Sequence, residues 1–229
     1  MLKLKEFAIR YSTPSIKAYL VTSPNSTERV HELISLSRDP LVLSVLSLHT
    51  PYEKIQLSLF DRFTDKSEKE SLRAIGLISL SNNQKSSIPL LLKIADFVDQ
   101  TNENIIKSMI NYEFDFLNAS LNSNSVLKSP NFHGLGFTTL VALSTEISPD
   151  LQQKIISDVY AFTKKRKHEM FYVFSNMQKD THKSKYFWAG KSIYSVIEAL
   201  TLNTELNHYS KELLYNLKKF IYKNYLHPI

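Results

Sequence analysis

Cysteine is absent from this chain, which removes disulfide cross-links, thiolate nucleophiles and every cysteine-ligated zinc site from consideration. Glycine is scarce, with four in 229 residues, so glycine-rich phosphate loops and tight strand-to-strand turns have little to be built from. Long apolar runs are missing as well. The longest, residues 41–48 and 135–143, are interrupted by Ser or Thr and fall far short of the ~20 residues that a bilayer-crossing helix needs. The opening, Met1-Leu-Lys-Leu-Lys-Glu-Phe7, is charged and has no signal-peptide core. These absences predict a soluble protein of a reducing compartment, the cytoplasm. Without an export signal, the acceptor-like triplets at Asn25 and Asn118 read as chance.

Catalytic signatures are equally sparse. The seven histidines, at 31, 49, 133, 168, 182, 208 and 227, never pair at i, i+4, and His168-Glu169 lacks the second His of a zinc-protease helix. No Gly-x-Ser-x-Gly elbow occurs. Ala189-Gly190-Lys191-Ser192 resembles the tail of a P-loop, but Lys185 stands where the motif requires glycine. Gly134-Leu135-Gly136 fits either a tight turn or a helix start with amides open to an anion. Asp61/Asp65 and Glu113/Asp115 fall on polar helix positions and read as solvated. No metal ligand set, cofactor or catalytic residue is assigned, and the expectation leans away from an enzyme.

What is present is helical periodicity, and it recurs almost throughout. Asp39-Pro40 reads as an N-cap followed by proline at the first helical position. Residues 52–63 carry Ile55, Leu59 and Phe63 as one stripe, and residues 67–80 carry Leu72, Ile75 and Ile78. Helices of about 10–15 residues joined by short polar turns predict an all-α fold of stacked hairpins. Two architectures fit, an irregular bundle and a short HEAT-like solenoid. The second is hinted at by Asp39-Pro40-Leu41-Val42-Leu43 and Ile88-Pro89-Leu90-Leu91-Leu92. Residues 118–131 are poor in large apolar side chains and read as a polar loop or linker. They would separate a near-neutral region, 1–117, from a basic, aromatic-rich one, 132–229, or lie within one continuous domain.

Charge divides the chain further. Residues 1–160 hold 16 Lys+Arg against 17 Asp+Glu, whereas residues 161–229 hold 12 against 5 and carry 13 of the 26 aromatics. Three groups stand out there. Lys164, Lys165, Arg166, Lys167 and His168 interrupt the stripe of Ile155, Val159 and Phe162, so either the helix breaks near 164 or the cluster projects from the body. Lys183, Lys185 and Lys191 flank Tyr186-Phe187-Trp188, of which Trp188 suits a core. In the last helix, read as 211–226, Leu214, Leu217 and Ile221 face inward. Opposite them Lys211, Tyr215, Lys218 and Tyr222 make one stripe with Lys219 and Lys223 beside it.

Cations interleaved with rings suit a polyanion, because ammonium groups neutralise phosphates while rings stack on bases. The expectation is a non-enzymatic helical protein whose C-terminal third contacts nucleic acid through the backbone. A helical scaffold for another protein is the alternative, and a helical-repeat enzyme acting on nucleic acid comes third.

Overall fold

The computed structural model describes residues 2–122, 134–144, 146–178 and 185–226. Among these it contains thirteen α-helices, a closing π-helical turn (Tyr222–Leu226) and no strand. The fold is all-α. Packing separates two compact units, Met1–Ile94 and Ala95–Ile229.

The first unit comprises α1 (Leu2–Tyr11), α2 (Pro14–Thr22), α3 (Glu28–Ser35), α4 (Pro40–His49), α5 (Glu53–Thr64), α6 (Glu70–Ser81) and the start of α7 (Ile88–Gln100). The predicted start signal operates at α4. The Asp39 carboxylate accepts from the Val42 amide at 3.0 Å, and Pro40 occupies the first turn, where its missing N–H leaves nothing unpaired. Every residue from Val42 to Leu48 is buried, which makes α4 the central helix, packed against α2 and α6. Pro51 lies before Tyr52, the N-cap of α5, so that helix begins one residue after the expected Tyr52.

The second unit takes the rest of α7, then α8 (Glu103–Asn122), α9 (Gly136–Leu143), α10 (Pro149–Lys165), α11 (Lys167–Gln178), α12 (Lys185–Leu202) and α13 (His208–Ile221). The division at Ile94/Ala95 lies upstream of the linker expected at 118–131. Residues 118–122 are helical, since Leu121 is buried and Asn118 and Asn122 are bound by Arg166; residues 123–131 lie outside the described residues. The helix start read at Gly134-Leu135-Gly136 is the start of α9, with Leu135 as its N-cap.

One polar device recurs in both units. In the first, the Gln56 amide donates to the carbonyls of Thr50 (2.8 Å) and Lys85 (2.9 Å) and accepts from the Ser87 amide (3.0 Å). Asn83 donates to the carbonyls of Ser47 and Thr50, both at 2.8 Å, and accepts from the Lys85 amide at 2.8 Å. In the second, Gln152 donates to Ile147 (3.4 Å) and Glu205 (3.3 Å) and accepts from Asn207 (3.4 Å). Asn203 donates to Ala142 (3.1 Å) and Ser144 (2.9 Å) and accepts from Glu205 (2.9 Å). Each pair satisfies carbonyls that helix ends would otherwise bury unpaired. The sequence of parts is also shared: a short buried helix, a helix with Gln four residues after its N-cap, a turn carrying Asn, and a helix capped four residues later.

Gln56 aligns with Gln152 at an offset of 96 residues and Asn83 with Asn203 at an offset of 120, the difference falling where the second unit adds α11. At Phe63 and Gly76 the first unit puts a fully buried ring against a glycine so closely that an added Cβ would overlap it. At the corresponding offsets the second unit has Val159 and Val196, both fully buried.

Candidate nucleic-acid interface

The basic run is organised by a helix break. Arg166 separates α10 from α11, so the stripe resumes on the next helix with Met170 and Phe174 buried. Arg166 turns inward. Its guanidinium donates to the Asn118 side chain (2.8 Å), the Asn122 side chain (2.7 Å) and Glu169 (2.5 Å), and lies 5.7 Å from the Phe162 ring. With those donors bound to α8 and α11, Arg166 is the clamp of the break, whereas Lys164, Lys165, Lys167 and His168 around it are exposed.

The last helix matches its expected pattern. Leu214, Leu217 and Ile221 are buried, and Lys211, Tyr215, Lys218, Lys219, Tyr222 and Lys223 are exposed. These six do not form one surface. Lys218 and Tyr222 line a largely apolar groove of about 450 Å³ with Phe174, Tyr194, Ile197 and Leu202. Lys219 and Lys223 line a second groove, of about 580 Å³, on the α10 side. Lys191 is exposed, with its ammonium 5.7 Å from the buried Phe187 ring. Lys183 lies outside the described residues, and Lys185 contributes the first backbone turn of α12.

The second groove gathers cations from separate helices. Ile156, Ser157 and Tyr160 of α10 face Leu213, Leu217 and Phe220 of α13, with Asn216, Lys219, Lys223 and Asn224 completing the lining. Lys164 stands 5.9 Å above the Tyr160 ring. Lys164, Lys219 and Lys223 therefore converge, and none pairs with a carboxylate among the described residues. The rings beneath are firmly held. Tyr160 meets Phe220 edge-on at 5.0 Å, and Phe220 meets Tyr225 at 5.8 Å. Tyr225 stacks on Phe174 at 5.5 Å and donates to the Thr163 carbonyl at 2.8 Å. Burial pushes the Tyr225 hydroxyl above the ordinary tyrosine range, which keeps it a donor.

At the aligned positions Ile156, Ser157 and Leu213 stand where the first unit has Phe60, Asp61 and Lys93. There the Lys93 ammonium bonds the Asp61 carboxylate at 3.0 Å and lies 5.6 Å from the Phe60 ring, joining α5 to α7 through an exposed ion pair.

Two expectations are corrected here. Glu113 is not solvated but fully buried. Its carboxylate accepts from the amides of Phe137 (2.9 Å) and Thr138 (2.8 Å) and from the Thr138 hydroxyl (2.6 Å). The helix start after Gly134-Leu135-Gly136 thus receives an internal anion, as the positive end of a helix favours. Sequence reasoning also passed over Tyr160, Asn216 and Phe220, although Tyr160 and Lys164 stand at i, i+4 on one helix.

Among the described residues no helix is long and apolar enough to cross a membrane, and no three His, Asp or Glu side chains gather as a metal site requires. The molecule is an all-α helical protein with an open, lysine-rimmed groove. No protein-family model, curated protein or solved structure matches the chain.

Proposed function

We propose that this protein binds nucleic acid without catalysing a reaction on it, gripping the phosphate backbone with the exposed cations of its second unit. The observation that carries the reading is the meeting of Lys164, Lys219 and Lys223 at one groove, from two helices, with no carboxylate to neutralise them. Lysines on one groove favour an anion, and a phosphate chain that meets them releases its own counterions. Lys165, Lys167 and His168 extend the positive surface beyond the groove. The amide device common to both units supports a helical-repeat scaffold, in which one frame is used twice and only one copy carries the contact surface.

Contact through the backbone makes a definite prediction about salt. Three neutralised phosphates give a log–log slope of about −2 for single strands and about −3 for duplex. Replacing Lys164, Lys219 and Lys223 by Gln removes most of that slope, each substitution accounting for roughly one unit on duplex. The matched control is Lys5→Gln, Lys54→Gln and Lys66→Gln, three exposed lysines of the first unit, which lowers net charge equally and leaves binding near that of the unaltered protein. Titration of labelled oligonucleotides at several ionic strengths reads both. Equal losses in the two triple variants would reduce the effect to net charge, and undetectable binding to DNA and RNA alike would end the reading.

A further inference from the structure

The groove between α10 and α13 offers more than charge. Its lysines lie at the exposed edge, while its walls are Ile156, Leu213, Leu217, Tyr160 and Phe220. A phosphate backbone needs only the former. Apolar and aromatic walls under a cationic rim match a ligand with a flat apolar body and phosphates on either side. The volume of about 580 Å³ is within the range of roughly 300–1,000 Å³ typical of small-ligand sites. Resting on the nucleic-acid reading above, we propose that this groove receives one unpaired base of a single-stranded nucleic acid, while the adjoining phosphates lie on Lys164, Lys219 and Lys223.

Three observations meet in this assignment. First, the groove is lined by particular residues: at the positions aligned with Ile156, Ser157 and Leu213 the first unit carries Phe60 and the Asp61–Lys93 ion pair instead. Second, the walls are supported from below: Phe220 is held between Tyr160 and Tyr225, and Tyr225 is anchored to Thr163 and Phe174. A base entering the groove meets rings already in place, so little side-chain ordering opposes binding. Third, Asn216 lines the groove and is exposed; its amide can both donate to and accept from a base edge. A base within a duplex is stacked and paired and reaches such a groove only by flipping out. Duplex is therefore limited to the lysines, whereas a single strand gains base–aromatic contact as well.

The test places an ion pair across the groove. Ser157→Asp with Leu213→Lys sets opposite charges on its α10 and α13 walls, adds no net charge and leaves Lys164, Lys219 and Lys223 untouched. Binding is read by fluorescence anisotropy with single-stranded RNA and DNA of about 10 nucleotides, duplex of the same sequence, and an abasic single strand. The unaltered protein is expected to bind the single strands roughly tenfold more tightly than the abasic strand. The double variant should lose that preference while keeping its duplex affinity and salt slope. Ser157→Gln, at an exposed position that does not endanger folding, should lose part of it. Preference for RNA over DNA would assign a contact to the 2′-hydroxyl, and parity would confine recognition to base and phosphate; either accords with the proposal. Equal affinity of the unaltered protein for intact and abasic strands overturns base insertion but leaves backbone binding standing. Binding to no nucleic acid overturns both.

Discussion

In the first unit Gln56 reaches its three backbone partners at 2.8, 2.9 and 3.0 Å, whereas in the second Gln152 reaches its own at 3.3, 3.4 and 3.4 Å. The same two side-chain types hold the same kind of helix junction, tightly in one copy and loosely in the other. At the aligned positions the first unit carries Phe60 and the Asp61–Lys93 pair, and the second lines a groove with Ile156, Ser157 and Leu213. Hydrogen bonds weaken as they lengthen, and segments that bind ligands come from the less rigid parts of a structure. The looser amide junction thus lies in the unit to which the proposed function assigns the binding surface.

The comparison breaks most readily at the amides. Asn83→Ala strips the Ser47 carbonyl of its side-chain donor and the Lys85 amide of its acceptor and leaves the Thr50 carbonyl to Gln56 alone, an expected loss of about 2–4 kcal/mol. Asn203→Ala removes longer bonds, for an expected cost of about 1–2 kcal/mol. Amide hydrogen exchange resolves the two units and should place each loss in the unit that carries the substitution. Equal costs would mean that bond length has no bearing on the contrast.

Core filling gives a smaller effect. Gly76→Val drives a side chain into the Phe63 ring, at an expected cost of roughly 1–3 kcal/mol. Adding Phe63→Val reproduces the second unit's pair and should recover at least half of that. A double variant as unstable as the sum of its parts would show that the correspondence does not extend to these positions.

The mildest probe is acid. His31 is buried against the edge of Tyr52. Burial, opposed in part by a hydrogen bond with the Val21 backbone and aided to a lesser degree by the charges of His49 and Lys85, brings its pKa down to about 4. The unfolded imidazole titrates near 6.5, so below that pH the unfolded chain takes up a proton that the folded one refuses. Stability of the first unit is complete above pH 6.5 and declines toward pH 4, by up to about 1 kcal/mol per pH unit. His31→Phe should flatten the decline. The amides of the second unit serve as the internal comparison; an equal decline in both units would assign the effect elsewhere.

Much of the fold was legible because it is local. Period, caps and prolines act within a turn or two of their own position, and Asp39-Pro40 and the inward Leu214, Leu217 and Ile221 needed nothing distant. Arg166 was legible as a misfit, an arginine where a seam residue belonged, although its partners Asn118 and Asn122 were hidden 48 and 44 residues away. Glu113 was misread because its helix surroundings look solvated, and the amides that bury it come from a different helix. Gln56, Asn83, Gln152 and Asn203 resembled ordinary turn and surface residues. The groove was illegible for a related reason. Its two walls, α10 and α13, are more than 40 residues apart in the chain, and what lies between them depends on how they pack.

The carboxylate of Glu113 also bears on the proposed binding of an outside anion. By occupying the glycine-flanked start of α9, it withholds a rigid cradle of peptide dipoles, a fixture that would demand a phosphate at a single place and angle. In the proposed reading, anion contact falls to ammonium groups on long flexible stems, which would follow a strand whose spacing varies from step to step. A grip of that kind would tolerate many sequences and let the strand creep through it.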